Sequence, residues 1–336
     1  MGLRDSSAVV VRGSLQNASI AYRPQGFVAD LIFPVINGLS RKSKVPKYTK
    51  GPWFKNSAAP RAPGTAARLI SYDVATENID PINYAIAGKV ADEEEQDANA
   101  PGSLPVDPRL DTLEQLGGSL MISQEKRVAD AVKEANWSAV GVCGEDAANS
   151  WGHGTAASDT FIDDADKVRA AFHEAGSPPP NSLLLDFYSH QSLRKAPALL
   201  DKIYPTGFGK DDFVSPSSLA NIAGVERIII GTAIYDDSEP RQTGLDTNFN
   251  AVNIWDSTGT TKKGLAFFFY APAAAGLKQQ SCGYIYKLRQ PNGSFRYTTG
   301  WRNSETHSDY YDSQEECDIV PVSLDCGYLF YDTAKA

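Results

Sequence analysis

Cysteine, histidine and methionine are scarce in this sequence. Its 336 residues include four cysteines, four histidines and two methionines. No pair of cysteines has CxxC spacing and no histidine stands at zinc-finger distance from one, so neither a metal site nor a disulfide framework is indicated. We expect free thiols of a reducing cytosol, no metal and no cofactor, the cysteines being Cys143, Cys282, Cys317 and Cys326.

The sequence also lacks the short motifs of common enzyme classes. We find no GxSxG, HExxH, GxGxxG or GxxxxGK[ST] pattern. The most accessible histidine is His153 in "WGHGT", where glycines flank it, but no nucleophile or metal partner is near it in sequence. A neutral loop position is therefore favoured over a catalytic one, and the sequence predicts that the protein is not an enzyme. A hydrolase that uses His153 or a Ser/His/Asp set is the alternative.

Long apolar runs and an excess of positive charge are missing as well. The longest nearly apolar stretch, "GLAFFFYAPAAAGL" at 264–277, is too short to cross a bilayer and is interrupted by Pro272 and Gly276. The chain has 32 basic and 41 acidic residues, a net charge of −9. Such a balance argues against tight phosphate contacts with nucleic acid. We expect no membrane partner and no sequence-specific binding of DNA.

What the sequence does contain is a long hairpin with an unusual tip. The stretches "KVPKYTK" (44–50) and "RLISYDVAT" (68–76) are predicted strands, and the second alternates apolar and polar side chains. The connecting stretch places Trp53 and Phe54 side by side among Gly, Pro, Ala, Ser and Lys residues, and its prolines exclude a central strand. Nothing in the segment covers the two rings, so what covers them is an open question at this point.

Charge is unevenly distributed around this hairpin. Basic residues cluster on it, and the acidic stretch "ADEEEQDA" (91–98) follows shortly after. The two runs are either solvated surface charges or complementary patches on neighbouring copies, and both interpretations stay open. Asp236 and Asp237 follow a predicted strand, where an exposed turn is favoured over a cation site. The residues that we assign to contacts between subunits are Trp53, Phe54, Lys47, Lys50, Lys55, Arg61, Glu93, Glu94, Glu95, Asp236 and Asp237.

The clearest helical pattern begins at Asp107 and continues to about residue 136. Asp107 is placed to cap this helix, and Pro108 suits its first turn. Apolar residues recur on one face, whereas Glu125 is expected on the polar side. The pair Gly117-Gly118 inside the helix indicates a bend or close packing. At 1.5 Å per residue the helix spans about 40 Å, enough to run the length of a domain.

Beyond residue 158 the pattern alternates short helices with buried strands. One helix is expected to be capped by Ser217 or Ser218 and ended by Gly224, before the buried strand Val225–Ile230. From Cys282 onward the pattern changes to long alternating strands, "GYIYKLR", "SFRYTTGWR" and "CGYLFYD", with Asn292-Gly293 as the tight turn between the first two. The polar segment 301–318 is expected to be a surface insertion, with an acidic loop at 305–318.

In this order, the segments resemble the major capsid proteins of tailed bacteriophages, which have the Hong Kong 97-type shell fold. The resemblance covers about residues 20–330 and depends on the ordered set, since no single segment decides it. The segments that carry it are "FVADLIFPVI", "GPWFKNSAAPRAPGTAA", "ISYDVATENIDPINYAIAGKVADEEEQDA", the long helix, "NSLLLDFYSHQSLRKAPALLDKI", "LANIAGVERIIIGTAIYD" and "LAFFFYAPAAAGL".

The resemblance implies an α+β fold of four parts. These are an N-terminal arm (1–40), an extended hairpin loop (41–77), a peripheral domain (78–150 and 278–336) with its spine helix at about 108–136, and an axial domain (151–277). The hairpin of this family reaches over the adjacent subunit, which would cover Trp53 and Phe54. The C-terminal strands would return to the peripheral sheet.

The implied function is self-assembly, as hexamers and pentamers, into the icosahedral head shell that encloses the double-stranded DNA of a tailed phage. Expected partners are further copies of this chain, a portal protein, and a scaffolding and a decoration protein where the phage has them. The packaged DNA would be enclosed without sequence-specific binding. Assembly in the host cytoplasm and final location in the virion head follow. The alternative with the same fold is an encapsulin-type compartment around a cargo enzyme.

Overall fold

The structure is a computed structural model, and its described residues are 24–37, 40, 42–98, 100, 107–135, 137, 145–146, 151–152, 160–204, 213–238, 249–256, 263–274, 276, 279–289 and 295–334. The strands in these ranges are β1 (Val35–Asn37), β2 (Ser43–Tyr48), β3 (Val74–Ile79), β4 (Ile82–Ala91), β5 (Glu145–Asp146), β6 (Ser182–Asp186), β7 (Arg227–Gly231), β8 (Ile234–Asp236), β9 (Ala251–Asn253), β10 (Lys263–Phe269), β11 (Gly283–Lys287), β12 (Arg296–Asn303), β13 (Ser308–Pro321) and β14 (Gly327–Ala334). The helices are α1 (Ala29–Ile32), α2 (Asp92–Ala98), α3 (Pro108–Glu134), α4 (Phe161–Glu174), α5 (Phe187–Arg194), α6 (Pro197–Ile203) and α7 (Pro216–Ala223), with 3₁₀ turns at Gly51–Phe54 and Leu324–Cys326.

The long helix α3, which we call the spine helix, is formed as the sequence predicts. The Asp107 side chain accepts hydrogen bonds from two backbone N–H groups of the first turn, and Pro108 is the first helical residue. The expectation for Glu125 is wrong, because this side chain is buried with the apolar face. Gly118 packs closely on Pro24, since a Cβ at Gly118 would lie 3.2 Å from that ring.

The sheet beside the spine helix, which we call the spine sheet, has β13 at its centre. One side of β13 pairs with β4, and the other side pairs with β12 and then with β11, all antiparallel. β1 adds a parallel edge next to β11. The prediction of a polar insertion at 301–318 with a loop at 305–318 is therefore wrong, because these residues form β12 and β13. Polar residues suit β13 because its buried charges are paired inside the sheet.

The hairpin predicted between "GYIYKLR" and "SFRYTTGWR" is also not found among the described residues. Both strands, β11 and β12, pair with β13 and lie end to end along it. The turn assigned to Asn292-Gly293 lies outside the described residues.

The second sheet has the order β5-β14-β10-β6-β7 and carries the alternating helices and strands. Along β10, Phe267 and Phe269 face the spine helix, whereas Phe268 faces the helices α4 to α7. β14 was expected in the sheet of the spine helix, but it pairs antiparallel with β10 in the second sheet. Ser215, and not Ser217 or Ser218, caps α7, and Gly224 ends it at φ +65° as predicted.

The segment before β1 is anchored in the core of its own subunit. Val28, Ala29, Ile32 and Phe33 are buried together with the spine helix and the second sheet. The apolar stretch 27–36 is thus laid along another part of the same chain.

The expectations on cysteines, membrane spans and metal sites can be compared with the structure only where residues are described. Cys282, Cys317 and Cys326 are free and buried, and Cys143 lies outside the described residues. Among the described residues we find no helix with the length and apolar character that a membrane span requires. The same part of the chain holds no group of three or more His, Cys, Asp or Glu side chains placed to bind a metal ion.

Candidate intersubunit contact surface

The hairpin is built from β2 and β3, which pair antiparallel from Ser43 opposite Ile79 to Tyr48 opposite Val74. Its root is fixed to the spine sheet, where Ile79 is buried with Tyr284 and Tyr286 of β11. The predicted second strand at 68–76 is only partly correct, because residues 68–73 are not in a strand and pairing starts at Val74. The segment from residue 49 to 73 is therefore a long connection, and not the turn of a compact hairpin.

Trp53 and Phe54 lie in a 3₁₀ turn at the start of this connection. Lys50 begins the turn, with its carbonyl accepting a hydrogen bond of 3.1 Å from the Trp53 N–H. The Trp53 ring contacts Tyr48 and Tyr72, with ring centroids 6.1 and 6.2 Å apart. This aromatic cluster joins the two arms of the hairpin above the last strand pair and gives the connection a defined base.

Large apolar side chains of the hairpin nevertheless remain in solvent. Trp53 is 62% exposed and Phe54 is 64% exposed, while Leu69 and Ile70 reach 96% and 69%. Single exposed apolar residues are common, but a group of this size on a projecting segment indicates a binding surface. The prediction that another molecule covers Trp53 and Phe54 stays a prediction, and the single chain leaves most of both rings uncovered.

The basic residues of the hairpin divide into two groups. Lys47 pairs with Glu77 on the opposite strand at 3.5 Å, and Lys50 pairs with Asp325 of the body at 3.1 Å. Lys55 and Arg61 are exposed and have no acidic partner within the described part of the chain. The latter two are therefore better placed than the former two to meet acidic groups on another subunit.

The acidic stretch 91–98 becomes the end of β4 and the short helix α2. Glu93 and Glu94 are exposed, and the Glu94 carboxylate accepts a hydrogen bond from the Ala91 N–H. Glu95 pairs with Arg109 of the spine helix at 2.7 Å. Part of the acidic charge is thus compensated inside the subunit, whereas Glu93 is exposed and has no ion pair among the described residues.

Arg302 of β12 neutralises the first residue of this helix. Its guanidinium donates to the Asp92 carboxylate, and this hydrogen bond is the main reason why the pKa of Asp92 lies below its ordinary value. Asp92 directly follows β4 and Arg302 lies in β12, so the two residues meet at the same end of β13. This compensation could not be predicted from the sequence, because it depends on β12 and β4 flanking the same strand.

Asp236 is the last residue of β8, and Asp237 follows it. The Asp236 carboxylate accepts hydrogen bonds from the Asn250 and Ser238 N–H groups and from the Ser238 hydroxyl. These hydrogen bonds, led by that of Asn250, hold the pKa of Asp236 below its ordinary value. Asp236 thus has a local role in holding β8 and β9 together, and Asp237 is exposed beside it.

The surface contains residues that the sequence analysis did not assign to it. Tyr48 and Tyr72 complete the aromatic cluster with Trp53, and Leu69 and Ile70 were placed in a strand although they are almost uncovered. In the sequence, the one signal for Tyr48 was its position next to the proline-rich connection. His153, the residue of the hydrolase alternative, lies outside the described residues.

Comparison with known proteins places this geometry in context. The chain is 24% identical over 250 residues to the major capsid protein of Burkholderia phage BcepMu, a match that covers 72% of this chain and 75% of that protein. No family model matches the chain. The crystal structure of a phage-related protein from Bordetella bronchiseptica RB50 is 18% identical and covers 97% of both chains, with a TM-score of 0.65.

Capsid structures give the decisive likeness. The capsid of Cyanophage P-SCSP1u is 15% identical and superimposes with a TM-score of 0.58 over 95% of this chain and 91% of that chain. The mature capsid of bacteriophage PhiM1 also gives a TM-score of 0.58, at 11% identity over 94% of this chain and 89% of that chain. This chain has the Hong Kong 97-type capsid fold. The predicted α+β class and the resemblance to phage capsid proteins are confirmed.

Within this capsid fold, a group of exposed apolar residues lies on the hairpin that projects from the root at Ile79. The relative and the capsid structures together support a phage shell protein. The curated relative is itself named a major capsid protein.

Proposed function

We propose that this chain is the major capsid protein of a tailed phage, and that its copies form hexamers and pentamers of an icosahedral head shell. The observation that carries the proposal is a capsid-type subunit whose projecting hairpin leaves Leu69, Ile70, Trp53 and Phe54 mostly exposed. These side chains gain cover when the hairpin lies on an adjacent copy.

Burial of these side chains supplies a large part of the contact. Full burial of one large apolar side chain contributes about 1.5–3 kcal/mol, so four of them contribute about 10 kcal/mol before costs are subtracted. Ordering the connection between β2 and β3 costs on the order of 1 kcal/mol per residue, which exceeds that gain. The hairpin therefore needs further contacts. Lys55 and Arg61, which have no acidic partner among the described residues, are suited to provide them at the acidic Glu93 and Glu94 of a neighbour.

The proposal also covers the parts of the subunit, its partners in the head and the place of assembly. The arm (1–40), hairpin (41–77), peripheral domain (78–150 and 278–336) and axial domain (151–277) would be the working parts of the subunit, with β5 and β14 contributed to the sheet of the axial domain. A portal protein, together with a scaffolding and a decoration protein in some phages, would complete the head, which assembles in the host cytoplasm. The net charge of −9 suits a wall that encloses DNA without binding it tightly. We assign no catalytic activity to the chain.

The test is direct observation of the purified protein. Electron micrographs of the expressed chain are expected to show closed cages or capsomers, and gel filtration is expected to give a mass far above the 36.3 kDa of one subunit. A monomer that stays monomeric at high concentration, with an ordered hairpin, would contradict the proposal.

An encapsulin-type compartment has to be distinguished by its contents and its genes. Neighbouring portal or terminase genes would indicate a phage head, whereas a neighbouring ferritin-like or peroxidase gene would indicate a compartment. Co-expression with a portal protein, followed by a search for shells with the portal at one vertex, separates the two roles experimentally.

A further inference from the structure

The hairpin contacts its own subunit at two separate places. The first is its root, where Ile79 is buried with Tyr284 and Tyr286 on the spine sheet. These groups are apolar or aromatic and have almost no exposed surface. The root is therefore a stable attachment that opens only when the sheet itself opens.

The second place lies beyond the far end of β2. The Lys50 ammonium is 3.1 Å from an Asp325 carboxylate oxygen, and both side chains are 38% exposed. The Phe54 ring lies against Gly176, where an added Cβ would be 3.1 Å from two ring atoms. Gly176 has φ +62°, so a residue with a side chain would be unfavourable here for both its backbone and its contact.

The two attachments belong to different parts of the subunit. The root is on the spine sheet, whereas Gly176 follows α4, and Asp325 lies in the 3₁₀ turn that directly precedes β14 of the second sheet. The six residues of β2 lie between them and span about 20 Å at 3.3 Å per residue. The hairpin thus connects the spine sheet, where its root is fixed, with the second sheet.

We propose that Lys50, Phe54, Gly176 and Asp325 form a releasable latch, by which the second sheet sets the direction of the hairpin. When the latch opens, the hairpin pivots about its root at Ile79, and its exposed residues reach a different position. The latch is suited to opening because a half-exposed ion pair is weak and is screened by salt, whereas the root is buried.

Use of the latch in a shell rests on the proposed function. Copies around five-fold and six-fold axes meet at different angles, so one subunit needs more than one hairpin direction. A contact that holds one direction and releases at small cost meets this need. The latch itself is a property of one subunit and can be tested without a shell.

The experiment measures the distance between spin labels on the hairpin and on the body. Labels are attached at Arg61→Cys and Glu174→Cys in the full chain with Cys143→Ser, because both positions are exposed and the three other cysteines are buried. Labelled chain is diluted with an excess of unlabelled chain so that the distances report on one subunit. At low salt the parent is expected to give one narrow distance distribution.

Two variants open the latch from opposite sides, and one control leaves it closed. Asp325→Asn and Lys50→Gln are each expected to broaden the distribution, and added salt is expected to broaden that of the parent. Glu77→Gln removes an ion pair that joins β3 to β2 and does not connect the hairpin to the body, and is expected to leave the distribution narrow. The exchange Lys50→Asp with Asp325→Lys is expected to restore the narrow distribution.

Two results would overturn the latch. One is a parent-like distribution in both Asp325→Asn and Lys50→Gln, and the other is equal broadening in the Glu77→Gln control. Electron micrographs of the same samples show whether the chain assembles, which tests the proposed function separately from the latch. Shells with an unresponsive hairpin refute the latch alone, whereas a responsive hairpin in a chain that never assembles supports the latch and refutes the shell.

Discussion

The Glu125 carboxylate of the spine helix accepts a hydrogen bond of 2.7 Å from the indole N–H of Trp255. The same carboxylate accepts hydrogen bonds of 2.9 Å from the Val28 and Ala29 N–H groups, which begin the short helix α1. The cap residue of α1, Val28, has no side chain that could do this. One buried side chain therefore joins the N-terminal segment, the spine helix and the end of β9.

Replacement of Glu125 by Gln is expected to destabilise the subunit by about 1–3 kcal/mol, because an amide N–H₂ then faces an N–H donor and leaves it unpaired. Urea unfolding of unassembled subunits measures the change. The control is Glu134→Gln, an exposed glutamate on the same helix, which is expected to change the free energy of unfolding by less than about 0.5 kcal/mol. Equal effects of both substitutions would contradict the structural role of Glu125.

The pH dependence of Glu125 has a defined sign. Burial raises the pKa of its carboxyl above the ordinary value, and the hydrogen bonds offset this only in part. The folded state therefore holds this proton more tightly than the unfolded chain, and the contribution of Glu125 to stability rises as the pH falls towards the ordinary pKa. Glu125 is thus not a cause of acid unfolding.

The pH dependence of Glu315 in β13 is expected to have the opposite sign, so that its contribution to stability falls as the pH falls. Burial alone would raise the pKa of its carboxyl, but the surrounding cations, led by Lys287 and Arg296, outweigh burial and lower it. Its contribution to stability is therefore complete above the ordinary pKa of 4.5 and is lost as the pH falls through the lower pKa of the folded state. Acid should weaken the spine sheet through this residue.

Replacement of Glu315 by Gln is expected to cost about 3–5 kcal/mol at neutral pH, because the buried Lys287 and the partly buried Arg127 and Arg296 lose their shared carboxylate. The difference from the parent should shrink below pH 4.5, since the parent then loses the same contribution. Urea unfolding of unassembled subunits from pH 7 to pH 3 follows the difference, with Glu305→Gln, in the turn between β12 and β13, as the exposed control. A difference that stays constant over this range would contradict the assignment.

Glu125 and Glu315 also illustrate where sequence reasoning stops. The capped spine helix and the stop at Gly224 could be predicted because a cap, a proline and a glycine act within a few residues of chain. The burial of a carboxylate could not, because the donors of Glu125 come from residues 28, 29 and 255. A polar residue in a helix pattern therefore gives no warning that it is paired inside.

β13 was missed for the same physical reason. Its sequence "SDYYDSQEECDIVP" is polar because β11, β12 and the spine helix supply cations to Glu315, and β4 supplies a hydrogen-bond partner to Gln314. A prediction from apolar content alone places such a polar segment in a surface loop. The exposure of Trp53 and Phe54 was easier to predict, since a proline-rich stretch offers few apolar neighbours, whereas their contact with another subunit stays a prediction.

The aromatic pair of the hairpin is expected to be needed for assembly but not for folding. In the double variant Trp53→Ala and Phe54→Ala, the unassembled subunit should unfold at nearly the parent temperature, because both rings are mostly exposed. Closed shells should fail to form, as seen on electron micrographs. Trp301→Ala is the matched control, since this exposed tryptophan stacks on Tyr310 of the spine sheet at 5.6 Å and lies off the hairpin. Normal shells from the double variant would show that the hairpin is not a principal contact.

The free cations of the hairpin are expected to contribute to assembly through charge. Removal of two charges in Lys55→Gln with Arg61→Gln should raise the concentration needed for assembly several-fold and weaken its dependence on salt. Light scattering measures both. The control, Lys42→Gln with Lys44→Gln, removes the same charge near the root of the hairpin. Equal effects in the two double variants would indicate a general effect of net charge and not a contact of the tip.

Two adjacent glycines of the spine helix give the sharpest test of how the N-terminal segment packs. Substitution of a helical glycine by alanine stabilises by about 1 kcal/mol when the new Cβ meets nothing. Gly117 has open space, so Gly117→Ala should show this gain, whereas a Cβ at Gly118 would lie 3.2 Å from the Pro24 ring. Gly118→Ala should therefore gain less than its neighbour or lose stability in urea unfolding. Pro24→Ala is expected to restore the gain to Gly118→Ala, and equal gains at both glycines without that change would mean that Pro24 does not lie on the helix.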